Sequence, residues 1–338
     1  MPHRTAETHA QALTPFSKLS GPRRFSYVLF VALVVLSTAL NLGPMVLAGL
    51  FSYLILDLSH RRLLLMMRPF YARLASSVIF LFAAFALGWI FWEFLRQAMA
   101  ALPRILTNAL PRVADVLDQY GVDLPFETLQ EFREAFMVAL KENAMIVTRV
   151  TGLLTKRFFH IFAGIMVAIL CFFGDNLTSD GDTYYDNIRR EMHDRMRTFM
   201  VSFELVFGAQ IIVSGINTVL TTIYLIAMGI PFMGFLVPAT FVLGLLPVIG
   251  GVLSNTIIVS AALTVSPQLA LFSLIFLMVM HKVQYLINGH VLGASLESPM
   301  WLILIGIIVG ELIMGVPGII LAPALLHYIR VELQALPA

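Results

Sequence analysis

The sequence predicts an all-α polytopic membrane protein of about eight transmembrane helices, several broken or re-entrant, with a small external helical insertion. Three observations carry this. The composition is 59% hydrophobic and only 12% charged, with a mean hydropathy of +0.87, the balance of a chain solvated largely by lipid. Between Leu205 and His281 there is no Asp, Glu, Lys or Arg, and only Lys282, Glu297 and Glu311 carry charge before Arg330. About 20 apolar residues suffice for one helical crossing, so several fit in this region. Elsewhere the arginines fall in clusters separated by apolar stretches, as loops on one side of a membrane do. The net charge of +2 adds little, and no nucleic-acid partner is expected.

Residues 1–25 are polar and hold Arg4, Lys18, Arg23 and Arg24, so they are expected as a cytoplasmic tail. Residues 26–96 then carry spans 1–3. The first begins near Ser26 and stops where Asn41-Leu42-Gly43-Pro44 interrupts the helix; the second continues to about Leu56. Arg61, Arg62, Arg68 and Arg73 form a second basic loop, which requires an even number of crossings after the basic tail. Two short spans satisfy this, and one bent pass of about thirty residues is the alternative. No cleavable signal is expected, because the first apolar stretch runs directly into the next. The third span, Ala72 to Phe94, has Trp89, Trp92 and Phe94 at one end, an aromatic belt expected to face outward.

Residues 97–156 mix acidic and basic side chains and are expected as an extracytoplasmic insertion. Leu106, Leu110, Val113 and Leu117 recur at helical spacing, and so do Leu129, Phe132, Phe136 and Leu140. Two amphipathic helices follow, either a cap packing on itself or on neighbouring subunits, or a ligand-binding module. Residues 157–174 hold span 4, Phe158 to Phe173. The lone cysteine in it, Cys171, is expected as packing filler. Residues 175–199 are polar and assigned to the cytoplasm. Ile188, Met192, Met196 and Met200, four apart, predict a helix along the inner interface from Tyr184 that then turns into the bilayer.

Residues 200–329 form the expected transport core, with passes at Met200–Met228, Phe232–Leu263, Gln268–Ile287 and Met300–His327. Eight crossings return residues 330–338 to the cytoplasm, so both termini are expected there. This core is rich in helix breakers. Gly244-Leu245-Leu246-Pro247-Val248-Ile249-Gly250-Gly251 interrupts a helix in mid-stretch, Asn288-Gly289-His290 leads to Gly293 and Pro299, and Gly315-Val316-Pro317-Gly318 precedes Ala322-Pro323. Unwound backbone in a bilayer survives only against protein or a wet cavity, and transporters place polar sites at such breaks.

Polar side chains gather around the breaks, including Gln210, Ser214, Asn217, Asn255, Gln284 and Asn288. Serines and threonines there are expected mainly to bond back to their own helices. Glu311 is the sharpest single residue, because Ile303 to Met314 holds no other polar side chain and a carboxylate in lipid must be protonated, paired or wet. Lys282 is a candidate partner for it across the bundle. The expected substrate or ion pathway therefore comprises Glu311, Pro247, Gly250, Gly251, Asn255, Gln284 and Asn288. Neither a metal-ligand spacing nor a phosphate-cradling loop, zinc-protease helix or serine-nucleophile elbow occurs, so no enzyme, metal or cofactor is expected.

In Leu246-Pro247-Val248-Ile249-Gly250-Gly251, in Asn288 to Pro299 and in Gly315-Val316-Pro317-Gly318-Ile319-Ile320-Leu321-Ala322-Pro323, the chain resembles the autoinducer-2 exporter family of bacterial inner-membrane permeases. The paired short N-terminal spans, the insertion after span 3 and Asp180-Gly181-Asp182 extend the likeness. The resemblance implies a multi-span carrier in the bacterial inner membrane, a homo-oligomer and by family architecture a pentamer. It also implies a small solute: family members export a quorum-sensing furanone or exchange sodium or lithium for protons. Asn288 and Ala294 stand where many relatives have Pro and a basic residue, so the solute stays open. The expectation is a gradient-driven secondary carrier, with a non-transporting membrane scaffold as its rival from another class.

Overall fold

The computed structural model describes residues 19–119, 144–174, 183–247, 249–291 and 299–336. They form α1 (Gly21–Ala39), α2 (Gly43–Leu63), α3 (Pro69–Gln119), α4 (Ala144–Gly174), α5 (Tyr184–Ala227), α6 (Met233–Gly244), α7 (Ile249–Leu263), α8 (Pro267–Val291), α9 (Met300–Met314) and α10 (Val316–Gln334), with no strand among the described residues. Seven of them are long and apolar enough to cross a membrane, and α6, α7 and α9 are shorter apolar helices. The all-α polytopic fold expected from composition is what is observed.

The first break falls where Asn41-Leu42-Gly43-Pro44 places it. Asn41 adopts a left-handed φ of 54°, Pro44 sits in the first turn of α2 where its missing N–H is no loss, and the chain reverses. Phe30 on α1 and Leu50 on α2 consequently meet in one apolar cluster with Phe199 and Tyr328. α1 and α2 are two separate helices, not one bent pass.

α2 and α4 share an apolar cluster in which Tyr53 and Leu56 meet Ile165, Ile169 and Phe172, and they approach to backbone contact at a glycine pair. Gly49 and Gly164 face each other, and a Cβ on Gly164 would collide with the Met45 carbonyl. Small residues let membrane helices approach to backbone contact, where dispersion and weak polar contacts replace the hydrophobic drive that lipid removes. Cys171 on α4 is exposed rather than buried filler, because this seam uses glycine and not sulfur.

Two expected boundaries are absent. α3 does not end at Phe94 but continues unbroken to Gln119, about 75 Å in all and more than twice the hydrocarbon thickness. Its distal half buries Ala101, Ile105 and Ala109, whereas Leu106 and Val113 of the predicted stripe are exposed. The small alanines permit close packing, so the buried face is rotated from the one marked by large side chains. The second predicted helix, around Leu129 to Leu140, lies outside the described residues. Likewise α5 is one straight element from Tyr184, started by a capping box between Thr183 and Asp186, and makes no turn near Met200.

That first part of α5 is held by a polar node at the arginine-rich end. Arg195 is 3% exposed and donates to Ser26 Oγ at 2.6 Å, Glu332 at 3.0 Å and Glu191 at 3.2 Å. Its guanidinium lies 3.3 Å from the centroid of the Tyr27 ring, and Tyr27 in turn donates to Glu332 at 2.7 Å. One cation thereby joins α1, α5 and α10, and the meeting of Ser26 with Arg195 and of Arg195 with Glu332 puts both chain ends of the bundle on one side.

Two expected single passes are hairpins. Ser254 on α7 meets Thr240 on α6 at 3.2 Å and Gly250 abuts the Leu243 carbonyl, both symmetrical about Pro247. The stretch Phe232–Leu263 therefore enters and returns on the side opposite the arginines. Its two arms are about 18 and 22 Å long, too short to span separately. At Gly315, whose φ is 65°, the stretch Met300–His327 also reverses, and Gly310 and Gly318 pack backbone to backbone. Of this second pair only α10 is long enough to span by itself.

Candidate functional site

The α6–α7 hairpin ends against two turns of α5. α6 stops because Pro247 offers no N–H to continue the ladder, and the Phe241, Val242 and Leu243 carbonyls of its last turn take the N–H groups of Leu245 and Leu246. α5 supplies donors. Gln210 Nε2 donates to the Gly244 carbonyl at 2.7 Å, and Ser214 Oγ donates to the Phe241 carbonyl at 2.7 Å. Gly244 is required here, since a side chain on it would run into Ser214 Oγ. Gly250 is buried against Leu243 and Leu246, whereas a Cβ on Gly251 would meet nothing within 4 Å. Of the two adjacent glycines, only Gly250 closes the turn.

On the neighbouring face of the same two turns, α5 meets α8. Asn217 and Gln284 line a shallow recess there with Val213, Ile216, Leu220 and Met280. Both carboxamides are half-buried, and neither makes a hydrogen bond among the described residues. A carboxamide without a polar partner costs free energy where acyl chains are its only cover. Asn255 is half-buried on α7, one turn beyond Gly251, also without a bond among the described residues. Asn288 belongs to α8, which runs on through Asn288-Gly289-His290 to Val291 instead of breaking there; its side chain lies outside the described residues.

The hairpin itself is anchored on its other side by α3. Phe94, Ala98, Ala101 and Ile105 pack with Phe235, Leu236, Ala239, Ile258 and Ala261 in the largest apolar cluster, and Phe94 stacks on Phe235 with ring centroids 5.9 Å apart. Arg112 donates to the Val265 carbonyl just beyond α7. The distal half of α3, expected as part of a separate insertion, is the wall of the re-entrant hairpin. Where α8 begins, Tyr224 and Ser273 hydrogen-bond at 2.9 Å and Tyr224 stacks on Phe276 at 3.9 Å.

Glu311 stands apart from this site. It lies on the exposed face of α9, opposite the glycines that contact α10, and Lys282 lies on the exposed face of α8. The ion pair expected between them within the chain is not made: neither charge has a partner among the described residues. The reason is topological, because α9 packs chiefly on α10, whose other neighbours are α5 and α2 rather than α8. Pro247, Gly250 and Gly251 are thus together, Gln284 joins Asn217 beside them, and Glu311 is elsewhere. Glu204, near a span end, pairs with Arg61 at 2.7 Å.

Two features of the site were hidden in the sequence. Gln210 and Ser214 stand among the polar residues near the breaks, but their targets, carbonyls 27 and 34 residues away, have no sequence mark. The burial of Arg195 had one faint signal, Glu191 one turn earlier. No curated protein matches the chain. Residues 25–338 match the family described as AI-2E family transporter. With its multi-pass helical fold, its re-entrant hairpin and this match over nearly its whole length, the chain belongs to the AI-2E transporter family and is a membrane transporter.

Proposed function

We propose that the chain is a gradient-driven secondary carrier exporting a small, uncharged polar solute, such as a quorum-sensing signal, past the tip of the α6–α7 hairpin. The observation that carries this reading is the pair of carboxamides, Asn217 and Gln284, that line one recess without a hydrogen bond among the described residues, beside a hairpin tip that Gln210 and Ser214 hold in place. Carboxamides in a path exchange a solute's water for fixed donors and acceptors without placing a net charge in lipid. Pro247 and Gly250 supply the turn, and Asn255 adds a carboxamide one turn along α7. Exposure of the seam to one side and then the other moves the solute.

The membrane is a bacterial inner membrane, with the Arg195 node and both termini at its cytoplasmic face, where the arginine clusters belong. The chain self-associates, as a pentamer by family resemblance. A sodium- or lithium-for-proton exchanger is the other activity attached to the family; it needs a titratable group in the path, and the polar groups in the described lining of this seam are the carboxamides of Asn217 and Gln284. Counterflow in proteoliposomes over a panel of polar solutes and monovalent cations tests the reading. Saturable flux of a neutral polar solute that falls in Gln284→Leu supports it. Cation flux unaffected by Gln284→Leu, with no solute flux, overturns it.

A further inference from the structure

Two charges of opposite sign remain outside every contact described so far, and both lie on apolar faces. On α8, Leu271, Ile275, Met278 and Lys282 follow one another at spacings of four, three and four, and all are exposed. On α9, Trp301, Leu304, Ile308 and Glu311 follow at three, four and three, and all are exposed. Each row is a ridge of the kind that packs against another helix, and each ends in a single charge. Lipid is a poor cover for either, since an unpaired charge within the hydrocarbon is costly and is normally met by an opposite charge or water.

The two charges also lie at similar depth. Met280 and Gln284, which bracket Lys282, flank Val213 and Asn217 of α5. Gly310, beside Glu311, abuts Gly318, and Leu321, three residues on, packs with Val206 of α5. Along α5 the two levels differ by only about 10 Å, within the reach of two long side chains and modest helix tilt. Rotation about an axis along the membrane normal moves a residue sideways and leaves its depth unchanged. A head-to-tail contact related by such an axis can therefore bring Lys282 of one copy to Glu311 of the next, and such contacts close into rings.

We propose that the exposed row of α8 docks on the α9 row of a second copy of this chain, with an ion pair inside the bilayer between Lys282 of one subunit and Glu311 of its neighbour. This rests on the self-association proposed above and is independent of what is transported. It gives the short, peripheral α9 a cover and gives each carboxylate and ammonium a partner, without any charge left facing acyl chains. It also explains why Lys282 and Glu311 lie on different sides of a protomer and not across its interior.

The test uses the full-length protein with Cys171→Ala. Lys282→Cys and Glu311→Cys are introduced singly and together, and a short bifunctional thiol cross-linker is applied in native-like lipid. The double variant is expected to give a ladder of multimers on denaturing gels, and a mixture of the two single variants an intermolecular dimer. Neither single variant alone should cross-link. The uncross-linked protein is weighed in nanodiscs in parallel. Lys282→Gln and Glu311→Gln should each weaken the assembly against dilution, while the exchanged pair Lys282→Glu with Glu311→Lys should restore it. A ladder from Glu311→Cys alone would mean like faces meet and would overturn the pairing. An assembly of several copies without the mixed cross-link overturns the pairing and leaves self-association standing; a single-copy mass overturns both.

Discussion

Replacing Arg195 by Met tests how the bundle is closed at its arginine-rich end. The guanidinium is 3% exposed and serves Ser26, Glu191 and Glu332 while lying over Tyr27. Methionine keeps much of the volume but strands Glu332, whose side chain is 14% exposed, without its cation. Breaking a buried pair in this way costs about 3–5 kcal/mol. The lower end applies here, because Glu332 retains the Tyr27 hydroxyl and some access to water; Glu191, 32% exposed, contributes little. A loss of about 3 kcal/mol corresponds to a fall of roughly 5–10 °C in unfolding midpoint. The assay is thermal unfolding in detergent for Arg195→Met, Glu332→Gln and the double variant. The double variant should be no worse than Arg195→Met, since it removes the stranded charge. Arg195→Met at the wild-type midpoint, or a double variant showing the sum of both losses, would refute the coupling.

Three further outcomes follow from particular contacts. Gly164→Val puts a side chain into the Met45 carbonyl and the Gly49 backbone; separating α2 from α4 should cost about 1–3 kcal/mol, read as a lower unfolding midpoint, with Gly88→Val, which meets nothing within 4 Å, as the silent control. Gln210→Leu leaves the Gly244 carbonyl unpaired, which should cost about 1–3 kcal/mol and speed hydrogen exchange at the hairpin tip, while Thr218→Val on the same helix, whose hydroxyl bonds only within α5, should not. Thr183→Ala removes the cap of α5 and should lower stability by about 1 kcal/mol, seen as fraying of its first turns by hydrogen exchange.

Most of the fold was legible because lipid imposes simple rules. Uncharged length, arginine clusters and Gly-Pro breaks located the helices and the α1–α2 turn, since each follows from local chemistry. What local chemistry leaves open is direction. Pro247 says that a helix stops, but whether the chain goes on or doubles back depends on close approach between Gly250 and Leu243, a tertiary contact. The same holds at Gly315, where Gly310 and Gly318 decide the reversal. The distal half of α3 was misread because its contact face is built from Ala101, Ile105 and Ala109, so the large leucines marked the wrong side. Of the residues expected along a pathway, the breaks bring Pro247, Gly250 and Gly251 together at the hairpin, and Gln284 lies beside Asn217. Glu311 was grouped with them on polarity alone, and polarity does not say which neighbour a side chain faces.

Transport past the hairpin tip requires that water reach the Asn217–Gln284 seam. In a Cys171→Ala background, Asn217→Cys and Gln284→Cys are labelled in membrane vesicles with a membrane-impermeant thiol reagent, with Phe82→Cys on the exposed apolar face of α3 as the lipid-facing control. The two seam positions should react, roughly tenfold or more faster than the control if a single hydrogen-bonding free energy separates wet from dry, and a transported solute should slow them. Seam cysteines as inert as the control would mean that the carboxamides are sealed from water, and no solute could pass there.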